Sequence, residues 1–164
     1  MPTEPPKPSR IFLDSSVLFA ALASATGASR AIILLAEIKL LKLVVTPQIF
    51  DEVERNLNRK APRAVPLFER LKKEIAWEIV PAPSAESVAA CAQAIAPKDA
   101  PILAAAMNAQ PARLITLDQE HFLISLVKDF SKLTIETPGD LINEIRSLLA
   151  IGLTAESEEP PTKE

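Results

Sequence analysis

The sequence predicts an α/β fold built on a parallel sheet, from three observations. Short apolar runs recur near residues 10–13, 43–46, 77–80, 113–117 and 133–136. Longer segments with apolar residues at helical spacing stand between them. The first two runs, Ile11-Phe12-Leu13 and Leu43-Val44-Val45, are continuously apolar rather than alternating, as in strands covered on both faces. Strands alternating with helices pair in parallel through right-handed crossovers and form a three-layer α/β/α sandwich.

The elements follow in order. The first strand runs into Asp14, and Ser15 or Ser16 caps the next helix, to residue 25, because a serine oxygen accepts from the free N–H groups of a first turn. Residues 28–42 form a second helix, with Ile32, Ile33, Leu35, Ala36, Leu40 and Leu41 making a wide apolar stripe. After the second strand, Pro47 suits the first turn of a helix, where its missing N–H costs nothing. Ile49, Phe50, Val53 and Leu57 give that helix its core face. Pro66 opens the next helix, to residue 76, and Pro81 and Pro83 stop the third strand. Ser84 caps a helix to residue 95, and residues 97–101 open another to Asn108. The fourth strand ends on Asp118, residues 119–130 are helical, and the fifth strand precedes a last helix over 138–150. Residues 1–9 read as a disordered leader, 10–150 as a single domain, and 151–164 as a disordered acidic tail.

Composition excludes several chemistries. The 164 residues, 48% hydrophobic, suit one globular domain with a real core. One His and one Cys cannot build a Cys/His zinc site, and three glycines cannot build a P-loop or a dinucleotide fingerprint. A Ser-His-Asp triad would have to use His121, and no Gly-x-Ser-x-Gly elbow exists; His121 reads instead as a helix-surface residue. The single Cys91 reads as buried filler; it allows no internal disulfide, which fits a reducing cytoplasm. No apolar run reaches membrane-spanning length, since Glu37 and Lys39 interrupt the closest one. A net charge of −3 does not advertise nucleic-acid binding over the whole surface.

Four acids carry the functional argument. Asp14 and Asp118 share one context, apolar strand then acid then helix, so both fall on the carboxyl edge of the sheet, where open α/β sheets bind ligands. Asp99 falls in the first turn of a helix, and Glu52 on the helix after the second strand. Taken singly, Asp14 and Asp118 are equally well explained as helix caps, Asp99 as a first-turn acid favoured by the helix dipole, and Glu52 is better explained as a solvated surface acid. Grouped in one cleft, carboxylates repel and raise each other's pKa unless a cation neutralises them. Hard divalent metals prefer such oxygen donors. On its helix, periodicity turns Asp51 to solvent but does not choose between Glu52 and Glu54.

Four segments carry a family resemblance. Ile11-Phe12-Leu13-Asp14-Ser15-Ser16-Val17-Leu18 resembles the opening motif of PIN-domain nucleases. Thr46-Pro47-Gln48-Ile49-Phe50-Asp51-Glu52-Val53 resembles their second motif, Pro97-Lys98-Asp99-Ala100-Pro101-Ile102-Leu103 the third, and Leu114-Ile115-Thr116-Leu117-Asp118 the fourth, in the family's order. The resemblance covers residues 11–136 and is greatest to bacterial members similar to VapC, the toxins of toxin–antitoxin pairs. It implies a five-stranded parallel sheet in order 3-2-1-4-5, and a metal-dependent ribonuclease using Mg²⁺ or Mn²⁺. It implies that Asp14, Glu52, Asp99 and Asp118 are the catalytic and metal-binding acids, supported by Ser16 and Thr116, and it selects Glu52 over Glu54. An RNA substrate, an antitoxin partner, a homodimer and a cytoplasmic location come with it. Two positions depart from the pattern: Ser16 stands where Asn is common, and Leu117 where a small residue is common.

Residues 55–73 carry seven cations, Arg55, Arg59, Lys60, Arg63, Arg70, Lys72 and Lys73, against the single acid Glu69. This basic flank suits a phosphate backbone, with Arg55, Arg59, Lys60 and Arg63 as substrate-binding candidates; ordinary solvated helix faces explain it equally well. Trp77 reads as core or interface. For the expected dimer, the helices over 28–42 and 84–95 are the natural donors of an exposed apolar face. Two rival functions stand beside the nuclease: a phosphohydrolase of the haloacid-dehalogenase kind, which wants a second Asp where Ser16 stands, and a non-catalytic PIN-like module that binds RNA or protein.

Overall fold

The structure is a computed structural model that describes residue 4 and residues 7–157, with side chains as far as residue 154. Strand β1, Ser9–Leu13, lies at the centre of a five-stranded sheet. It pairs in parallel with β2, Leu41–Val45, on one side and with β4, Arg113–Ile115, on the other. Strand β3, Glu78–Ile79, adds to β2, and β5, Ile135–Glu136, to β4, so the order is 3-2-1-4-5 with all strands parallel. The sheet order implied by the family resemblance is therefore the observed one.

Eight helices flank the sheet among the described residues: α1 Ser15–Ala23, α2 Ala28–Glu37, α3 Pro47–Lys60, α4 Val65–Glu74, α5 Ala85–Cys91, α6 Ala100–Ala109, α7 Ser125–Ser131 and α8 Pro138–Ser157. A 3-10 turn over Pro62–Ala64 joins α3 to α4. Consecutive residues of a strand point to opposite faces, yet Ile11, Phe12, Leu13, Val44 and Val45 are all buried, so both faces of the sheet are covered. That is the three-layer arrangement.

Helix α3 is fixed on three sides. Ile49, Val53 and Leu57 are fully buried. Phe50 packs edge-on against Phe68 of α4 and against Trp77, with ring centroids 5.6 and 5.2 Å apart. Trp77 also donates its indole N–H to the Leu71 carbonyl at 3.0 Å, so it is a core residue. With α3 held this way, the charge of Glu52 is felt at Asp14.

Several boundaries differ from those read in the sequence. Helix α2 ends at Glu37, not at residue 42, because Lys39 turns into the left-handed region at φ 64° and the Leu40 N–H closes back on the Leu35 carbonyl. Helix α5 ends at Cys91 rather than residue 95. The expected helix over 119–130 starts only at Ser125, because Asp118 closes a separate turn and Ile124 takes extended angles. Strand β1 begins at Ser9, the last residue assigned to the leader. Helix α8 continues through residues 151–157, where the sequence reads as tail; residues 158–164 lie outside the described residues. No single helix among the described residues is long and apolar enough to cross a membrane.

Candidate active site

The site forms where β1 and β4 end side by side. The Asp14 N–H donates to the Ile115 carbonyl at 3.0 Å, extending the β1–β4 ladder by one residue, and the Thr116 N–H donates to Glu136. The first and fourth acidic motifs are thus delivered to one crevice by strand pairing.

Asp14 is 7% exposed, and its carboxylate is held by three donors. Oδ1 accepts from the Ser15 N–H at 2.8 Å. Oδ2 accepts from the hydroxyls of Ser16 at 2.8 Å and Thr116 at 2.9 Å. Each hydroxyl also accepts a backbone N–H from the strand-exit loop: Ser16 from Leu117 at 3.1 Å, and Thr116 from Asp118 at 3.0 Å. The two supporting residues are therefore bridges from Asp14 to the loop carrying Asp118. Burial pushes the Asp14 carboxyl above its ordinary range against the pull of these hydrogen bonds, and the charge of Glu52 adds to the push.

Asp118 lies in that loop. Its Oδ1 accepts the His121 N–H at 3.0 Å, and His121 Nδ1 lies 3.1 Å from Oδ1 and 2.9 Å from Oδ2. Between an ionised carboxylate and a ring nitrogen, the proton belongs on Nδ1. Burial raises the Asp118 carboxyl, but the His121 contacts outweigh it and hold the group below its ordinary value.

Asp99 occupies the N-cap position of α6 but caps nothing with its side chain. Its Oδ2 is buried and has no hydrogen-bond partner. Burial raises its carboxyl, Lys98 and His121 lower it, and the charges of Asp118 and Asp14 raise it. Asp99 thus stands at the start of its helix without a capping hydrogen bond. Glu52 accepts from the Gln48 amide at 3.1 Å and lines a surface cavity of about 490 Å³ with Arg55, Asn56 and Arg59. Glu54 and Asp51 are exposed on the same helix.

All four acids therefore act on one another: Glu52 on Asp14, and Asp14 and Asp118 on Asp99. The donors are mainly carboxylate oxygens, which suit a hard divalent cation, and the orphaned Asp99 Oδ2 is the kind of atom such an ion satisfies. Asp99, Asp118 and His121 each offer a donor atom within 4.8 Å of the other two. His121 is the site residue that the sequence reading missed. Its signal was its spacing: a residue three after a strand-ending Asp returns its N–H to that carboxylate in an Asx-type turn. A larger cavity, about 760 Å³, lies elsewhere, between β5 and α8, lined by Arg113, Glu136 and Glu144 among others.

Of the basic residues, Arg55 and Arg59 flank Glu52, Lys60 reaches over the Phe19 ring at 6.0 Å, and Arg63 sits in the 3-10 turn. Glu69 pairs with Lys72 at 2.7 Å and Arg70 faces Glu74 at 3.6 Å, so the far end of the basic segment is partly neutralised within α4.

Comparison with known proteins agrees with the fold. The chain is similar in structure to PAE2754 from Pyrobaculum aerophilum, with a TM-score of 0.59 and 14% identity over 85% of this chain and 96% of that one. It is also similar to VapBC2 from Rickettsia felis, described as bound to a DNA fragment from their promoter, with a TM-score of 0.57 and 13% identity over 78% and 98%. Mycobacterium tuberculosis VapC20, described as a toxin cleaving the sarcin–ricin loop, gives a TM-score of 0.50 and 18% identity over 67% and 91%. At these identities the likeness concerns the fold. No curated protein sequence matches the chain. The sequence profile of the PIN domain matches residues 10–120, and with that match the chain belongs to the PIN domain family.

Proposed function

We propose that this protein is a metal-dependent endoribonuclease whose catalytic and metal-binding acids are Asp14, Glu52, Asp99 and Asp118. The observation that carries the reading is Asp99: its buried Oδ2 is unpartnered, and its carboxyl is raised first by burial and further by the charges of Asp118 and Asp14. A protein keeps such repelling charges together when a cation is to neutralise them. When bound, Mg²⁺ or Mn²⁺ supplies an activated water and charge stabilisation at a phosphodiester. The chain's own residues prepare the site. Ser16 and Thr116 fix the Asp14 carboxylate by its Oδ2, and Gln48 steadies Glu52. Arg55 and Arg59, with Lys60 and Arg63 beyond them, offer cations to the RNA backbone beside Glu52.

The fold shared with VapBC2 and VapC20 supports the toxin role of a toxin–antitoxin pair, an antitoxin partner and action in the cytoplasm. A homodimer is part of the same reading. Helices α2 and α8 pack on one another and leave large apolar side chains exposed, among them Leu34, Ile38, Leu148, Leu149 and Ile151. Helix α5 is a poorer donor than the sequence suggested, because Cys91 is buried and Val88 packs against the core. A haloacid-dehalogenase reading loses its second acid, since the Ser16 hydroxyl donates to Asp14 instead.

The test is cleavage of single-stranded RNA by the purified chain with Mn²⁺, with and without chelator, beside hydrolysis of p-nitrophenyl phosphate. Chelator-sensitive RNA cleavage with no ester hydrolysis is expected, and Asp14→Asn should abolish it while the circular dichroism stays unchanged. Ester hydrolysis without RNA cleavage would overturn the proposal. Sedimentation of the chain as a monomer at high concentration would remove the homodimer.

A further inference from the structure

We propose that His121 is a nitrogen ligand of the cation at this site and biases its metal preference away from Mg²⁺. The inference rests on the reading of the four acids as a metal centre and adds a ligand outside that acidic set.

His121 is not a free surface side chain. Its backbone N–H is held by Asp118 Oδ1 at 3.0 Å, and the next residue, Phe122, is buried at 1% exposure and donates its N–H to the Asp118 carbonyl at 3.3 Å. The turn is pinned at the acid and in the core, and the imidazole is presented from it. Nδ1 lies 2.9 Å from Asp118 Oδ2. Adjacent donors around a cation with bonds of about 2.1 Å sit about 3 Å apart, so the two atoms stand at the spacing that neighbouring ligands require. Such a pair is satisfied either by a proton on Nδ1 or by a shared cation. The third member of the group, Asp99, has no such alternative: its buried Oδ2 receives no proton donor. A cation reached by Asp99 and Asp118 is within reach of the imidazole as well, since a ring nitrogen of His121 and a carboxylate oxygen of each acid lie within 4.8 Å of one another.

The donor type has a consequence. Mg²⁺ favours oxygen ligands, whereas imidazole binds later divalent metals more strongly, with affinity rising from Mn²⁺ to Co²⁺. A site with one nitrogen among carboxylates should therefore gain more for Co²⁺ and Mn²⁺ than for Mg²⁺. A purely positioning role, in which His121 only orients Asp118, predicts equal losses for all metals when it is removed.

His121 is the chain's one histidine, so an imidazole signal has one source in untagged protein. The experiment loads the full chain with Mn²⁺ and looks for imidazole ¹⁴N coupling by pulsed electron paramagnetic resonance. It also titrates Co²⁺ and Mg²⁺ calorimetrically into the wild type, His121→Ala and His121→Gln. The expected result is a nitrogen coupling in the wild type and none in either variant, with Co²⁺ affinity falling about tenfold or more and Mg²⁺ affinity falling much less. Mn²⁺ bound without nitrogen coupling, or equal losses for Co²⁺ and Mg²⁺, would overturn the assignment of His121 alone. Failure of the wild type to bind Mn²⁺, or binding that Asp14→Asn and Asp99→Asn do not weaken, would overturn the metal-centre reading and the ligand with it.

Discussion

The hydroxyl of Thr116 donates to Asp14 Oδ2 at 2.9 Å and accepts the Asp118 N–H at 3.0 Å, so one buried side chain ties the first and fourth acidic motifs together. Thr116 is fully buried, and water cannot replace either bond. Thr116→Val keeps the shape but leaves Asp14 short of a donor and the Asp118 N–H without an acceptor. Loss of a bond to a charged group with an unsatisfied partner costs about 1–3 kcal/mol, which a urea titration will read. RNA cleavage should fall about 10- to 100-fold, as when outer support of a metal ligand is removed. Thr116→Ser keeps the hydroxyl and should recover most of both; a Ser variant no better than Val would show that packing, not the bridge, matters.

Asp99 gives the opposite stability effect. Its side chain makes no cap bond, so Asp99→Asn loses no hydrogen bond of that kind. Its folded carboxyl is raised above the ordinary 3.8. A raised acid contributes stability when protonated, below its unfolded value, and that contribution is lost as pH rises through the folded value. At neutral pH in chelator, therefore, the ionised Asp99 is a burden, and Asp99→Asn should melt higher than the wild type. The gap should close as pH falls toward 4, near the ordinary carboxylate value. Added Mn²⁺ should raise the wild-type melting temperature and move the variant less. A variant that melts lower than the wild type in chelator at pH 7 would contradict this account.

The sheet was legible because Ile11-Phe12-Leu13 and Leu43-Val44-Val45 are apolar without alternation, which only two-sided burial explains. Asp14 and Asp118 were legible as a pair because both follow strands that prove to be neighbours, although β4 ends at Ile115, three residues before Asp118. His121 was not, because a helix over 119–130 would have put it on a solvated face; the carboxylate-closed turn at Asp118 and the extended Ile124 appear only once the chain is folded. Whether Asp99 caps its helix was equally invisible, since an acid at an N-cap looks the same in sequence whether or not its oxygen meets an N–H. The reach of α8 to Ser157 was hidden by the polar, acidic composition of residues 151–164, which reads as a tail; the exposed Leu148, Leu149, Ile151 and Leu153 show that core packing does not sustain this stretch.

The basic flank should act through electrostatics. Arg55 and Arg59 border the cavity beside Glu52, Lys60 ends the same helix, and Arg63 lies in the 3-10 turn that follows. Replacing Arg55, Arg59 and Arg63 together by Gln should weaken binding of single-stranded RNA. It should also reduce the slope of log K against log salt by about 2, since each phosphate contact on a single strand contributes about 0.7. Filter binding from 50 to 200 mM salt is the measurement. An unchanged slope would leave these arginines as solvated surface.

The second acid is the assignment that sequence periodicity left open, and Glu52 is the one proposed here. Glu52 is half-buried, takes a hydrogen bond from Gln48 at 3.1 Å, and its charge raises the carboxyl of Asp14. Glu54 is exposed, and its backbone carbonyl accepts from Asn58 one turn on. Glu52→Gln keeps the size and the Gln48 partner while removing the charge that faces Asp14. It should lower Mn²⁺ affinity and reduce RNA cleavage about 100-fold, at the upper end of what loss of a supporting group costs a metal centre. Because Arg55 and Arg59 share its cavity, RNA binding by this variant should hold or tighten as a repelling carboxylate leaves. Glu54→Gln should leave cleavage, Mn²⁺ affinity and RNA binding unchanged. Loss of cleavage in Glu54→Gln with full activity in Glu52→Gln would place the metal-facing acid two residues further along α3, one side of the helix away from Asp14.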